Sequence, residues 1–211
     1  MRLLLVVSGS IAIKKSSELI KKLSAKKIKI DCVFTKSSIK LMKLMKIDSF
    51  KKCKIYSDKD LFKNDNFLHI DLARKADAIL VFPASANIIG KYANGIADDL
   101  ASTTLLASNK QIFIAPAMNV QMWENQANIK NVIRLSENGI NFIGPTIGNL
   151  SCGEYGYGRL AEINDIVEEL ELFFKRQNLL KGLSGIITSG PTIEPIDGTR
   201  FISNYSSGKQ G

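Results

Sequence analysis

Leu3-Leu4-Leu5-Val6-Val7-Ser8-Gly9-Ser10 begins as a continuous apolar run and stops at a turn of hydroxyls and glycine. Five apolar residues in a row read as a strand buried on both faces, since a strand with one wet face would alternate. Beyond the turn, Ala12, Ser16, Leu19, Ile20 and Leu23 recur at helical spacing, and Lys14, Lys15, Lys21, Lys22 and Lys26 fall largely on the opposite face. The chain therefore opens strand, loop, helix.

The same unit recurs downstream. Residues 28–35 read as a strand, 37–45 as a helix, and 51–66 as a polar, poorly patterned connection. A helix over 68–75 leads to a strand over 78–82 that ends at Pro83. Residues 87–107 form a long helical stretch divided at Gly95, followed by a strand over 112–115 ending at Pro116, a helix over 129–138, and a strand over 140–143 ending in Gly144-Pro145. Short apolar strands alternating with helices require crossover connections, so the fold class is α/β with a doubly wound parallel sheet. Ligands of such sheets bind beyond the carboxyl ends of the strands. Residues 148–158 carry glycine at 148, 153, 156 and 158 around Cys152, Tyr155 and Tyr157. This composition reads either as a mobile flap bearing a thiol or as a surface loop with a passive cysteine. Residues 165–175 then close the domain as an amphipathic helix, 176–181 serve as a linker, and 185–188 begin a new strand. The expected division is a first domain over 1–178, with 179–211 as linker and the start of a second, truncated domain.

Composition excludes several classes. The net charge of +9 invites a nucleic-acid reading, but residues 1–63 hold 17 Lys/Arg against 5 Asp/Glu, whereas the rest is mildly acidic. Of the 29 basic residues 23 are lysine, while base readout and phosphate forks favour arginine. Solvated helix faces explain this charge better than a polyanion site, and no nucleic-acid partner is expected. Three cysteines without a C-x-x-C pair and a single histidine, His69, argue against a disulfide framework or a Cys/His metal site. The expected setting is cytoplasmic, with no membrane segment and no metal.

The loops after the strands carry the chemistry. Ser8-Gly9-Ser10 at a strand-to-helix junction offers backbone N–H groups, a helix N-terminus and two hydroxyls, which suits a phosphate. The glycine after Gly9 is Gly90, so the loop is not G-x-G-x-x-G, and no Walker A sequence occurs. Thr35 to Ser38, after the neighbouring strand, could contact the same phosphate. Pro83-Ala84-Ser85-Ala86-Asn87 and Pro116-Ala117-Met118-Asn119 are small-residue loops that end in asparagine. They could let the backbone lie against a flat ring or simply cap helices. His69 is either structural or a titrating group near the crevice.

Together these pieces carry a resemblance. SGSIA (8–12), TKSS (35–38), HIDLARKAD (69–77), PASANIIGKYANGIADDL (83–100), APAMNVQMW (115–123) and SCGEYGYGRLAE (151–162) occur in the order seen in the flavoprotein half of bacterial bifunctional coenzyme A biosynthesis enzymes. Those are phosphopantothenoylcysteine decarboxylases fused to phosphopantothenate–cysteine ligases. Residues 187–211 resemble the opening of the ligase half, with Asn204, Ser206, Ser207 and Lys209 similar to its early nucleotide-site residues. The resemblance implies a Rossmann-like domain binding flavin mononucleotide (FMN), and a homo-oligomer, trimer or dodecamer. It places Gly9, Ser10 and Ser37 or Ser38 at the phosphate, and Ala84, Ser85, Asn87 and Met118 around the flavin ring. His69, Asn119 and Cys152 match catalytic positions, and Asn119 and Arg159 would meet the substrate.

The implied reaction converts 4'-phosphopantothenoylcysteine to 4'-phosphopantetheine. Direct loss of its carboxylate would leave a carbanion with no electron sink. Oxidation of CH2–SH to a thioaldehyde provides one, carbon dioxide leaves, and the enethiol is reduced again. On this reading Asn119 binds the carboxylate, His69 serves as base or orienting partner, and Cys152 donates a proton. The alternatives are a related peptidyl-cysteine decarboxylase and a non-catalytic flavoprotein acting as a partner-binding regulatory subunit.

Overall fold

The computed structural model describes residues 1–47, 50, 53–61, 67–179 and 183–207. They fall into two compact units divided at Phe174/Lys175. In the first, β1 (Arg2–Val7), β2 (Lys29–Phe34), β3 (Lys54–Ser57), β4 (Ala78–Ala84), β5 (Gln111–Pro116) and β6 (Asn141–Phe142) form one sheet in the order β3-β2-β1-β4-β5-β6. Every pairing is parallel. Strand order reverses between β1 and β4, which sets the crevice beyond their carboxyl ends.

The run Leu3–Val7 is buried throughout, and its alternate residues feed two separate cores. Leu3, Leu5 and Val7 pack with Leu19 and Leu23 of α1 (Ser16–Ala25) and with Ile166 and Leu170 of α8 (Ile163–Leu179). Leu4 and Val6 face the opposite way. They share a core with Leu72 of α3 (Leu68–Lys75), Ile88 and Ile89 of α4 (Ala86–Ala93), Leu100 and Leu105 of α5 (Leu100–Leu106), and Leu135 of α7 (Gln126–Glu137). Each such side chain contributes about 1.5–3 kcal/mol by leaving water. The sheet is thus covered on both faces, as the apolar run requires. α2 (Lys36–Leu44) follows β2, and α6 (Val120–Glu124) follows β5.

Four local differences from the sequence reading have physical causes. β3 lies inside the stretch read as a connection. It is a four-residue edge strand with Lys54 and Ile55 exposed, so it carries no apolar run. The glycine-rich segment, read from composition as a flap or a surface loop, has regular arms, an antiparallel hairpin of β7 (Thr146–Asn149) and β8 (Tyr155–Arg159). α8 continues to Leu179 through much of the expected linker, and the remainder of that linker lies at positions outside the described residues. Residues 185–188 form no strand, and Ile186 and Ile187 are exposed. The second unit instead has a short antiparallel pair, β9 (Ile193–Pro195) with β10 (Phe201–Ser203). Lys209 lies outside the described residues. No helix among those residues is long and apolar enough to cross a membrane.

Candidate functional site

The loop after β1 is stitched across the crevice to the loop after β4. Ser8 is buried, its Oγ donates to the Pro83 carbonyl at 2.7 Å, and it accepts the Ser85 N–H at 2.8 Å. Two residues on, the Ser10 Oγ donates to the Ala117 carbonyl at 2.9 Å, which ties in the loop after β5. Ala117 N–H donates in turn to the Ala84 carbonyl at 2.9 Å. Gly9 is required between the two serines, because a Cβ there would lie 2.4 Å from the Ser37 Cβ. Three strand-end loops are thus locked together with their small side chains in contact.

A cavity of about 500 Å³ opens against them. That is within the range, roughly 300–1,000 Å³, of pockets that enclose small ligands. Its lining brings together Gly9, Ser10, Ser85, Met118, Asn119, Cys152 and Arg159. Asn119 caps α6, its Oδ1 accepting the Met122 N–H at 2.9 Å. Its Nδ2 group has no partner among the described residues. The far wall is the β7–β8 hairpin, seated on the β5 loop by Met118 N–H donating to the Gly158 carbonyl at 3.0 Å. A Cβ on Gly158 would meet the Met118 carbonyl oxygen at 2.4 Å, and one on Gly156 would meet Val120 at 2.9 Å. This close approach accounts for Gly156 and Gly158, whereas Gly153 sits in open space at φ +88°, where the turn favours glycine. Cys152 is exposed at the hairpin tip, where Leu150 N–H donates to the Glu154 carbonyl at 2.8 Å.

Other expected site residues stand outside this lining. Ser37 packs against Gly9, but Ser38 is fully buried, and its hydroxyl donates to the Thr35 carbonyl at 2.8 Å as part of the α2 cap. Ala84 is buried in the sheet. Asn87 is exposed on α4, whose N-cap is Ser85. His69 lies within α3, edge-on to the Phe67 ring at 6.3 Å.

The cavity also has a basic mouth that helical periodicity missed. Lys14 and Lys15 line it, and the lining contains no carboxylate. Residues Ile11–Lys15 form a 3-10 turn, with about three residues per turn, so the lysines point elsewhere than on an α-helix. Lys15 Nζ stands 3.7 Å from Glu162, which also accepts from Arg159, so two cations share one anion beside the cavity. The signal available in the sequence was a lysine pair three residues beyond the Ser8-Gly9-Ser10 turn.

A doubly wound sheet with a phosphate-suited turn and small-residue loops at its switch point defines a protein of the Rossmann-like class. The chain belongs to the flavoprotein family, whose model, described as Flavoprotein, matches residues 1–175. Residues 180–211 match the DNA/pantothenate metabolism flavoprotein C-terminal domain. The coenzyme A biosynthesis bifunctional protein CoaBC of Bacillus subtilis (strain 168) is 42% identical over 213 residues, covering 99% of this chain and 52% of that protein. The chain thus spans about half the length of the curated relative it matches. A solved Cys-to-Ser mutant of PPC decarboxylase complexed with pantothenoylaminoethenethiol is 34% identical, with a TM-score of 0.76 over 82% of this chain and 98% of that one. The FMN binding protein AtHal3 is 35% identical, with a TM-score of 0.74 over 83% and 97%.

Proposed function

We propose that this chain catalyses FMN-dependent decarboxylation of 4'-phosphopantothenoylcysteine to 4'-phosphopantetheine, a step of coenzyme A biosynthesis. The observation that carries the proposal is the joining of Asn119, Cys152 and Arg159 with the Gly9/Ser10 turn around one cavity. The residues present fit FMN. Gly9 leaves no room for a Cβ, Ser10 and the neighbouring backbone offer polar contacts for a phosphate, and Ser85, Ala117 and Met118 form a small-residue floor. The bound flavin would supply the electron sink, taking two electrons from the CH2–SH group and returning them after carbon dioxide has left.

The protein's own groups do the rest. Asn119 is oriented through its Oδ1, which leaves Nδ2 to hold the substrate carboxylate. Arg159, steadied by Glu162, contributes positive charge to the same end of the cavity. Cys152 at the hairpin tip gives a proton to the enethiol carbon, and the hairpin shields the reactive thioaldehyde from water. The neighbouring Cys-to-Ser structure, complexed with an enethiol, supports that role for a cysteine. His69 is assigned as base or orienting partner. From its place on α3 it would reach the thiol if a second copy brought it there, which accords with a homo-oligomer. We assign a cytoplasmic setting, and residues 179–211 to a linker and the opening of a ligase domain; ligation is not proposed for this chain.

The test is carbon dioxide release from 4'-phosphopantothenoylcysteine by FMN-reconstituted protein, with a flavin absorption band as control. Flavin-loaded protein that releases none would overturn the proposal.

A further inference from the structure

Two cysteines that take no part in the main cavity meet at the far edge of the sheet. Cys32 lies in β2, fully buried on the face that packs against α1 and α8. β2 and β3 run parallel with Cys32 opposite Ile55, so Cys53, two residues before Ile55, is its diagonal neighbour on the same face. Cys53 occupies the bend that leads into β3, where its N–H donates to the Phe50 carbonyl at 3.0 Å. It is half-buried against the core that holds Cys32, Phe34 and Phe50. Both are free thiols, and a hydrogen bond joins them.

The pair is asymmetric. The bond to Cys53, burial and the nearby Asp31 carboxylate all push the Cys32 thiol up, so the buried sulfur keeps its proton. The hydrogen bond from Cys32 holds the Cys53 thiol below its ordinary value, against burial and Asp31. The sulfur nearer solvent is therefore the one with thiolate character, and the proton donor stands behind it. A reactive thiol at the surface with a second thiol in reach is the arrangement that lets sulfur oxidise reversibly.

We propose that Cys53 and Cys32 are a site of reversible oxidation, at which Cys53 reacts first with hydrogen peroxide and Cys32 then closes a disulfide onto it. In the first step the Cys53 thiolate attacks the O–O bond. Its sulfur loses two electrons and becomes a sulfenic acid, and the other peroxide oxygen leaves as hydroxide and takes a proton to form water. In the second step the Cys32 sulfur displaces the sulfenic hydroxyl, which departs as water with the Cys32 proton, and the S–S bond forms. Diagonal neighbours stand about 7–8 Å apart between Cα atoms, and a disulfide spans about 4.4–6.8 Å. The bend before a four-residue edge strand can supply that small approach, whereas a pair within the central strands could not. Closure would fasten β3 to β2 and, with β3, Asp58, whose Oδ1 accepts the Leu100 N–H at 2.9 Å at the start of α5. Neither sulfur lines the main cavity, so the proposal is independent of the decarboxylase reading.

The experiment treats the full folded chain with graded hydrogen peroxide, then denatures it, alkylates the free thiols with iodoacetamide and maps the cysteine peptides by mass spectrometry. Cys32 and Cys53 should lose their labelling together, appear as one linked pair of peptides, and regain it after dithiothreitol. Cys53→Ser should leave Cys32 fully labelled at the peroxide concentration that closes the pair, because the buried sulfur then has no oxidised partner. Cys32→Ala should leave Cys53 as a sulfenic acid that dimedone traps, where the unaltered protein gives little adduct. If the alanine variant does not fold, the serine variant decides with the unaltered protein: the proposal stands if Cys32 loses its label only when Cys53 is present. Cys53 oxidised without linkage to Cys32, linkage to Cys152 instead, or Cys32 oxidised equally in Cys53→Ser overturns it.

Discussion

The two walls of the main cavity are built on opposite plans. The wall formed by the loops after β1, β4 and β5 is continuous with the core: Ser8, Ala84, Ala117 and Met118 are all at least 90% buried, and Ser8 and Ser10 cross-link the loops. The β7–β8 hairpin opposite is thin, with Tyr155 and Tyr157 half or more exposed. It is fastened to the β5 loop by the Met118–Gly158 bond and by Val120 N–H donating to Glu154 at 3.3 Å. The first wall holds its shape because the sheet's stability depends on it. The second can carry a reactive thiol at its tip because little of the core depends on it. Changes to the sheet-side wall should therefore cost folding and cofactor together, whereas changes at the hairpin tip should cost chemistry alone.

The largest expected effect tests the hairpin. Cys152→Ser should lower turnover by about 10²–10⁴-fold, the usual worth of a positioned proton donor. The melting temperature and the flavin absorbance of the resting protein should stay unchanged, and on adding substrate the oxidised enethiol should accumulate with its two electrons left on the flavin, or passed in air to dioxygen. Normal turnover would remove Cys152 from the mechanism, and a large fall in melting temperature would show the hairpin to be structural after all.

Glycine variants sharpen the contrast. Gly9→Ala drives a Cβ to within 2.4 Å of Ser37 inside the cross-linked wall, at a cost of about 1–3 kcal/mol. That corresponds to a melting shift of several degrees and should come with reduced flavin retention. Gly158→Ala meets the Met118 carbonyl and also strains a backbone at φ +130°, but the hairpin can lift away. Its signature should be weaker substrate binding, read as a raised KM, with a smaller melting shift than Gly9→Ala. Equal shifts in the two variants would erase the distinction between the walls.

How much of this was legible follows from where each residue sits. β1 was readable because burial on both faces forces an unbroken apolar run, and the turn after it because only glycine fits beside Ser37. β3 was not, since an edge strand with exposed Lys54 and Ile55 carries no such signature. The hairpin hid behind its glycines, of which Gly156 and Gly158 record close contact with Val120 and Met118 and Gly153 a turn at φ +88°. Lys14 and Lys15 were assigned to the outer face by a 3.6-residue period that the 3-10 turn does not follow.

The smallest effect concerns the support behind the sheet-side wall, where Lys91 of α4 lies 2.6 Å from Asp98 and 2.7 Å from Asp99 at the start of α5. Burial alone would raise the Asp99 carboxyl, but the donors from Lys91 and Ser102 hold it below its ordinary 3.8. Burial likewise works against the Lys91 ammonium, yet Asp98 and Asp99 keep it above 10.5. A lowered carboxylate contributes stability that is present above its unfolded value and lost as pH falls through the folded one. A raised ammonium contributes stability that is present below its unfolded value and lost as pH rises through the folded one. The pair should therefore act at constant strength from about pH 5 to 10. Asp99→Asn keeps the cap, since asparagine accepts the Ser102 N–H equally well, and removes only the charge. It should lower the melting temperature by about 2–4 °C across that window, for a loss of about 1 kcal/mol. The two proteins should converge as pH falls below 3.8. A difference that persisted undiminished at pH 2 would mean that Asp99 acts through shape and hydrogen bonding, and that the framework behind the sheet-side wall owes nothing to this charge.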